Sequence, residues 1–203
     1  MFSNSWFKKE KPLPTMIGMG GGATGWMSSA GGPGIQATGG IISDYTDGAD
    51  TYRAHVFLTP GTFVVSDLGG QGGTADILIV AGGGGAGGGG GGWPGGGGGG
   101  GVLEATEFAL GTNTYPIVVG AGGRGGQAWP TWQESNAKVG QVGENTVFTD
   151  PSGPNVYTAL GGGYGGGGNT AAGGPGGSGG GSQENTPGSP ATSQSPESPF
   201  TGY

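Results

Sequence analysis

Glycine constrains this chain more than any other residue. It holds 58 of 203 positions, most of them in three tracts. The first spans 82–101, broken by Ala86 and by Trp93-Pro94; the second is GAGGRGG at 120–126; the third runs through 161–181, interrupted by Tyr164, by 169–172 and by Pro175. Fixing a glycine backbone costs more entropy than fixing any other, so such tracts do not order alone. Two readings stay open. One is flexible coil. The other is a stack of polyproline-II-type segments, three residues per turn, whose outward N–H and C=O groups bond to neighbours that no side chain holds away. In the second reading the first tract reverses at Trp93-Pro94, and Tyr164 and 169–172 sit on exposed reversals. No strict Gly-X-Y period points to collagen.

Between the tracts lie runs that read as strands, and five Trp residues set the chain apart from disordered ones. TYRAHVFL (51–58) is followed by a TPG turn (59–61) and by TFVVSD (62–67) as the returning strand, then by an LGGQGG loop (68–73). ADILIVA (75–81) is the most apolar run and is expected to be the best-buried strand. VLEATEFAL (102–110) places Val102, Glu104, Thr106 and Phe108 on one face and Leu103, Ala105, Glu107 and Ala109 on the other. A GTN turn (111–113) leads to TYPIVV (114–119), where Pro116 suggests an edge position. NTVFTD (145–150) and NVYTAL (155–160) flank PSGP and read as a hairpin. About seven strands without a helical period predict an all-β fold, a small β-sandwich. Hydrophobic residues make up 32% of the chain, so its core should be thin.

Four segments follow from these shifts. Residues 1–22 read as an extended anchor peptide, with Trp6, Phe7, Lys8, Lys9, Lys11, Leu13, Met16 and Ile17 as the docking side chains. Residues 23–50 read as a linker, with Asp44, Asp47 and Asp50 in a solvated loop that falls short of a calcium site. Residues 51–181 form the glycine-rich β domain, and 182–203 a Pro/Ser-rich extended or disordered tail. Trp93, Trp129, Trp132 and Tyr164 are the candidate surface-binding residues, because aromatics on rigid loops make good anchors.

Catalytic patterns are missing from the sequence. His55 is the only histidine and lies inside a strand-like run. There is no G-x-S-x-G, no HExxH and no cysteine, and the many G-x-G-x-x-G matches lack a βαβ context. The reading is therefore a non-enzyme without cofactor or metal. A net charge of −7 argues against nucleic-acid binding. No run reaches membrane-spanning length, and no signal peptide is legible, which gives synthesis in the cytoplasm as the expectation.

Residues 52–102, with the HVF core, the PGTF turn and the ILIVAGGGG junction, followed by TYPIVVGAGGRGG (114–126), resemble a glycine-rich domain common in bacteriophage fibre proteins, especially those of marine and cyanobacterial phages. KKEKPLPTMIGMGGG (8–22) looks like the N-terminal segment of such proteins. The chain is also similar in style to phage-tip adhesins built from stacked polyglycine helices. The resemblance implies a virion structural protein, a tail or head fibre subunit. It would be attached by its N-terminus to a capsid, tail or fibre-base protein, with a role in host-surface attachment. By analogy with fibres it implies a homotrimer. A capsid-decorating or connecting protein without a receptor and a free glycine-rich surface-binding protein are the alternatives.

Overall fold

The β-branched and aromatic runs become strands, and no helix occurs among the described residues of the computed structural model, which are 34–47, 50–70, 72–89, 93–127, 139–167, 172–183, 186–192, 194 and 198–203. In chain order the strands are β1 (Gln36–Thr38), β2 (Ile41–Asp47), β3 (Asp50–Val56), β4 (Gly61–Asp67), β5 (Thr74–Val80), β6 (Val102–Ala109), β7 (Thr114–Val118), β8 (Thr146–Thr149), β9 (Val156–Ala159) and β10 (Thr201–Gly202). A five-stranded sheet has the order β1-β4-β7-β8-β9, a three-stranded sheet the order β10-β6-β5, and β2-β3 form a separate ribbon. All named pairings are antiparallel.

The two larger sheets make a sandwich-like body with one aromatic core. Val65, Tyr115, Phe148, Tyr157 and Ala159 come from the five-stranded sheet, and Ile79, Leu103, Ala105 and Phe108 from the three-stranded one. The Phe108 ring meets Phe148 and Tyr157 edge-on, with centroids 5.7 and 5.8 Å apart. Tyr115 stacks on Phe148 at 5.5 Å. Edge-to-face and offset contacts suit the ring quadrupole and add to simple burial. The buried Tyr115 hydroxyl accepts from Gly111 N–H at 2.7 Å and donates to Gly111 C=O, which fastens the 111–113 turn.

Several sequence expectations change. The 51–58 and 62–67 runs do not pair: β3 pairs with β2, while β4 pairs with β1 and β7. The 23–50 stretch therefore contains two strands. Gly39 and Gly40, at φ +112° and +65°, turn the chain from β1 into the ribbon. A side chain at Gly39 would overlap the Thr62 carbonyl, which leaves glycine as the fitting residue. Asp44 is a strand residue in that ribbon, bonded to Arg53.

ADILIVA is not the best-buried strand. It becomes β5, the edge of the three-stranded sheet, so Leu78 is 66% exposed and only Ile79 of β5 is fully inside. The central β6 is better buried. Strict alternation along it also fails. Ala105 pairs with Ile77 but Phe108 with Ala75, so the register slips between them. Glu107 carries the bulge at φ +53° and donates its N–H to the Asp76 carboxylate at 2.9 Å. The slip turns Phe108 to the same face as Leu103 and Ala105, and leaves both Glu104 and Glu107 exposed. An extra residue in one strand of a pair has this effect on facing.

Pro116 is interior to its sheet, between β4 and β8. It pairs with Thr62, and the ladder to β8 begins only at Ile117, so its missing N–H breaks no bond on that side. The β8–β9 hairpin forms across 151–154 as the turn residues predict. The end of the 182–203 segment docks on its own body. Phe200 is buried with its ring 4.3 Å from Tyr157, and β10 pairs with β6.

Candidate functional site: the far end of a glycine array

Five strands of the body run directly into or out of glycine tracts. Across each junction the backbone keeps its bonds but changes their spacing from two residues to three. The β5–β6 pair continues as Ala81 N–H to Gly101 C=O, Gly84 to Gly98 and Gly87 to Gly95. The β7–β8 pair continues as Glu144 N–H to Ala121 C=O and Gln141 to Arg124.

The tract 82–89 is the hub. It bonds antiparallel to 95–101, and antiparallel to 140–144 through Gly82 to Glu144 and Gly85 to Gln141. It accepts from two parallel tracts, through Gly123 to Gly83 and Gly126 to Ala86, and through Gly162 to Gly82 and Gly165 to Gly85. A second hub, 161–167, adds Gly174 to Tyr164 and Gly177 to Gly161 on one side, and Gly163 to Ser178 and Gly166 to Gly181 on another. These bonds are 2.8–2.9 Å long apart from Gly82 to Glu144, at 3.0 Å. Side chains close the ends nearest the strands: Asn145 Oδ1 accepts from Gly161 N–H and Thr146 Oγ1 from Gly120 N–H.

Glycine is needed because the tracts approach backbone to backbone. A Cβ on Gly82, Gly84, Gly85 or Gly87 would overlap a facing carbonyl of Ala121, Gly163, Arg124 or Gly166. A Cβ on Gly83 would sit 3.6 Å from Gly98 oxygen, in ordinary contact, and one on Gly89 would meet nothing. The tolerant positions therefore repeat as 83, 86 and 89, and alanine already stands at the middle one.

Bond direction also sorts the loops. Residues 81, 101, 119, 145 and 160, next to the strands, lie at one end of the array. Gly87, Gly95, Gly166 and Gly181 are bonded in a chain at the other, beside the bonds of Gly126 to Ala86 and Gly140 to Gly165. The tract ends that flank 90–92, 128–138 and 168–171 lie at that far end, opposite the sandwich. Trp93 is there and 75% exposed. Tyr164 is not on a reversal: it lies within a tract, half-buried, with its ring over the place where a Gly174 side chain would be. Trp129 and Trp132 lie in 128–138, outside the described residues, as do Asn169 to Ala171 and all the anchor candidates from Trp6 to Ile17.

The far end offers backbone groups and exposed aromatic surface, a binding type of chemistry. His55 has a structural setting, with Nδ1 2.7 Å from the Gly39 carbonyl and its ring edge-on to Phe63 at 5.0 Å. Among the described residues no three His, Cys, Asp or Glu side chains cluster as metal ligands, and no helix is long and apolar enough to cross a membrane.

This architecture defines a class: an all-β sandwich prolonged into a glycine array bonded through its backbone. The family model for the glycine-rich domain matches residues 58–202, and the chain belongs to that family. The match covers the Pro/Ser-rich segment as well, consistent with the docking of Phe200. No curated protein and no solved structure matches the chain.

Proposed function

We propose that this protein is a non-enzymatic phage virion appendage, a tail or head fibre subunit, attached through residues 1–22 and holding the far end of its array toward the host surface. In this reading the tracts are polyglycine-II helices, three residues per turn, packed through main-chain bonds. The observation that carries the proposal is the exposed Trp93 beside the tract ends bonded at Gly87 and Gly95, at the end of the array opposite the sandwich. A rigid array that holds an exposed aromatic side chain at one end is suited to surface recognition. The three-residue bond spacing supports the helix reading. The resemblance to phage fibre domains supports the setting.

Purified virions of the encoding phage provide the test, by mass spectrometry of particles carrying the full chain or a deletion of 1–22. Full-length protein in particles, with the soluble deletion left out, is the expected result. Absence of both from particles overturns the virion reading and leaves a free surface-binding protein. Incorporation without any binding of the isolated protein to host cells points instead to a decorating or connecting protein. Trp93→Ser should reduce host binding at least about tenfold with no change in fold, since the removed side chain is mostly in solvent.

A further inference from the structure

The β2–β3 ribbon has two unlike faces. Its register sets Ile41 opposite Val56, Ser43 opposite Ala54 and Tyr45 opposite Tyr52 on one face, and Ile42 opposite His55, Asp44 opposite Arg53 and Thr46 opposite Thr51 on the other. The second face is held locally: Arg53 bonds both Asp44 oxygens, at 2.7 and 2.9 Å, and His55 packs on Phe63. The first is apolar and open. Tyr45 and Tyr52 stack at 5.4 Å, yet are 54% and 48% exposed, and Ile41 and Val56 are 60% and 44% exposed. A lone two-stranded ribbon is marginal in water, and an apolar face on it calls for a cover.

We infer that this face is covered by the same face of a second copy of the chain, in a two-fold pair with antiparallel ribbons. Three features select that occupant. From Ile41/Val56 to Tyr45/Tyr52 the face carries no charge, and Asp47 and Asp50, on the same face one pair beyond the tyrosines, lie outside the overlap of two antiparallel copies. Its pattern is large, small, large, so a two-fold axis through the Ser43/Ala54 level lays the tyrosine pair of one copy on Ile41 and Val56 of the other. Asp47 and Asp50 pair at the tip, and antiparallel ribbons keep the two acidic tips at opposite ends, whereas side-by-side parallel ribbons gather them. The open apolar surface is on the order of 500 Å² per copy, which brings the pair to about the 1,000 Å² a specific interface needs. The inference does not rest on the virion reading, because the association is read on free protein.

Sedimentation equilibrium of the full chain from about 1 to about 100 µM tests it. A monomer–dimer equilibrium is expected, strengthened by salt because each copy carries a net charge of −7. Tyr45→Thr combined with Tyr52→Thr should weaken it at least about 30-fold. Threonine favours strands, and cross-strand proton contacts between Thr46 and Thr51 show that the ribbon persists. Leu78→Ser with Val80→Ser, on the other exposed apolar strand, should leave it unchanged. A monomer at every concentration, a trimer, or a dimer lost with the Leu78 pair but kept with the tyrosine pair overturns the inference.

Discussion

Gly83 and Gly84 are adjacent and chemically identical, yet their surroundings differ completely. The Gly84 Cβ would overlap the Gly163 carbonyl, which belongs to another tract and cannot yield alone, while the Gly83 Cβ has room. Gly84→Ala should therefore cost about 1–3 kcal/mol or more, as overpacking does. Gly83→Ala should be neutral or stabilise by up to about 1 kcal/mol, by restricting the unfolded chain. Thermal melts of the two variants check this, and equal effects would refute the array. Part of the rule was legible in the sequence. Ala121, Arg124 and Gln127 are spaced by three, as are Val139, Val142 and Asn145 around Gly140 and Gly143. The inner tracts hide it, because at 83, 89, 96 and 99 glycine stands where contacts do not require it. Composition then masks the period that sterics impose.

Elements closed by local chemistry were readable, and those that depend on distant partners were not. The β8–β9 hairpin follows from its own turn, and the β2–β3 ribbon has a comparable signal in Gly48-Ala49 between Asp47 and Asp50 that the linker reading passes over, whereas the pairing of β4 with β1 and β7 is announced by no turn. Facing along β6 depends on a bulge set by Asp76, 31 residues before Glu107. The last strand is the clearest case. Phe200 sits in a polar, proline-rich segment, yet its ring touches Phe108, Phe148 and Tyr157. Phe200→Ala should cost about 3–5 kcal/mol in urea unfolding, the range for deleting a buried aromatic. A loss below about 1 kcal/mol would mean the segment is a loose tail. In the ribbon, the Arg53 hydrogen bond holds the Asp44 carboxyl below its usual range. A depressed folded-state pKa contributes stability above the unfolded value, near 3.9, and that contribution is lost as pH falls through the lowered one. Cross-strand contacts of Thr46 and Thr51 should therefore weaken on acidification below about pH 4. Asp44→Asn should remove that part of the pH response.

At the scale of the whole molecule, the sandwich and the array are one hydrogen-bonded object, since the β5–β6 and β7–β8 pairs pass into tract pairs without a gap. The thin apolar core can then serve mainly to orient the strands that start the array, while main-chain bonds carry order outward to the far end. Amide exchange distinguishes this from flexible tracts hung on a small domain. In the hub tract the N–H groups of Gly82, Gly84, Gly85 and Gly87 each donate to a neighbouring tract, at 2.8–3.0 Å. The N–H groups of Gly83 and Ala86 have no acceptor among the described residues. Protection should therefore be on the order of a thousandfold or more at 82, 84, 85 and 87, and much lower at 83 and 86. A coil exchanges promptly throughout, and an extended strand alternates with a period of two. The three-residue pattern also carries the functional argument. It holds the tract ends and Trp93 opposite the sandwich only if the tracts are straight, bonded and ordered together, so prompt exchange across 82–89 would remove the support for a surface-recognising end.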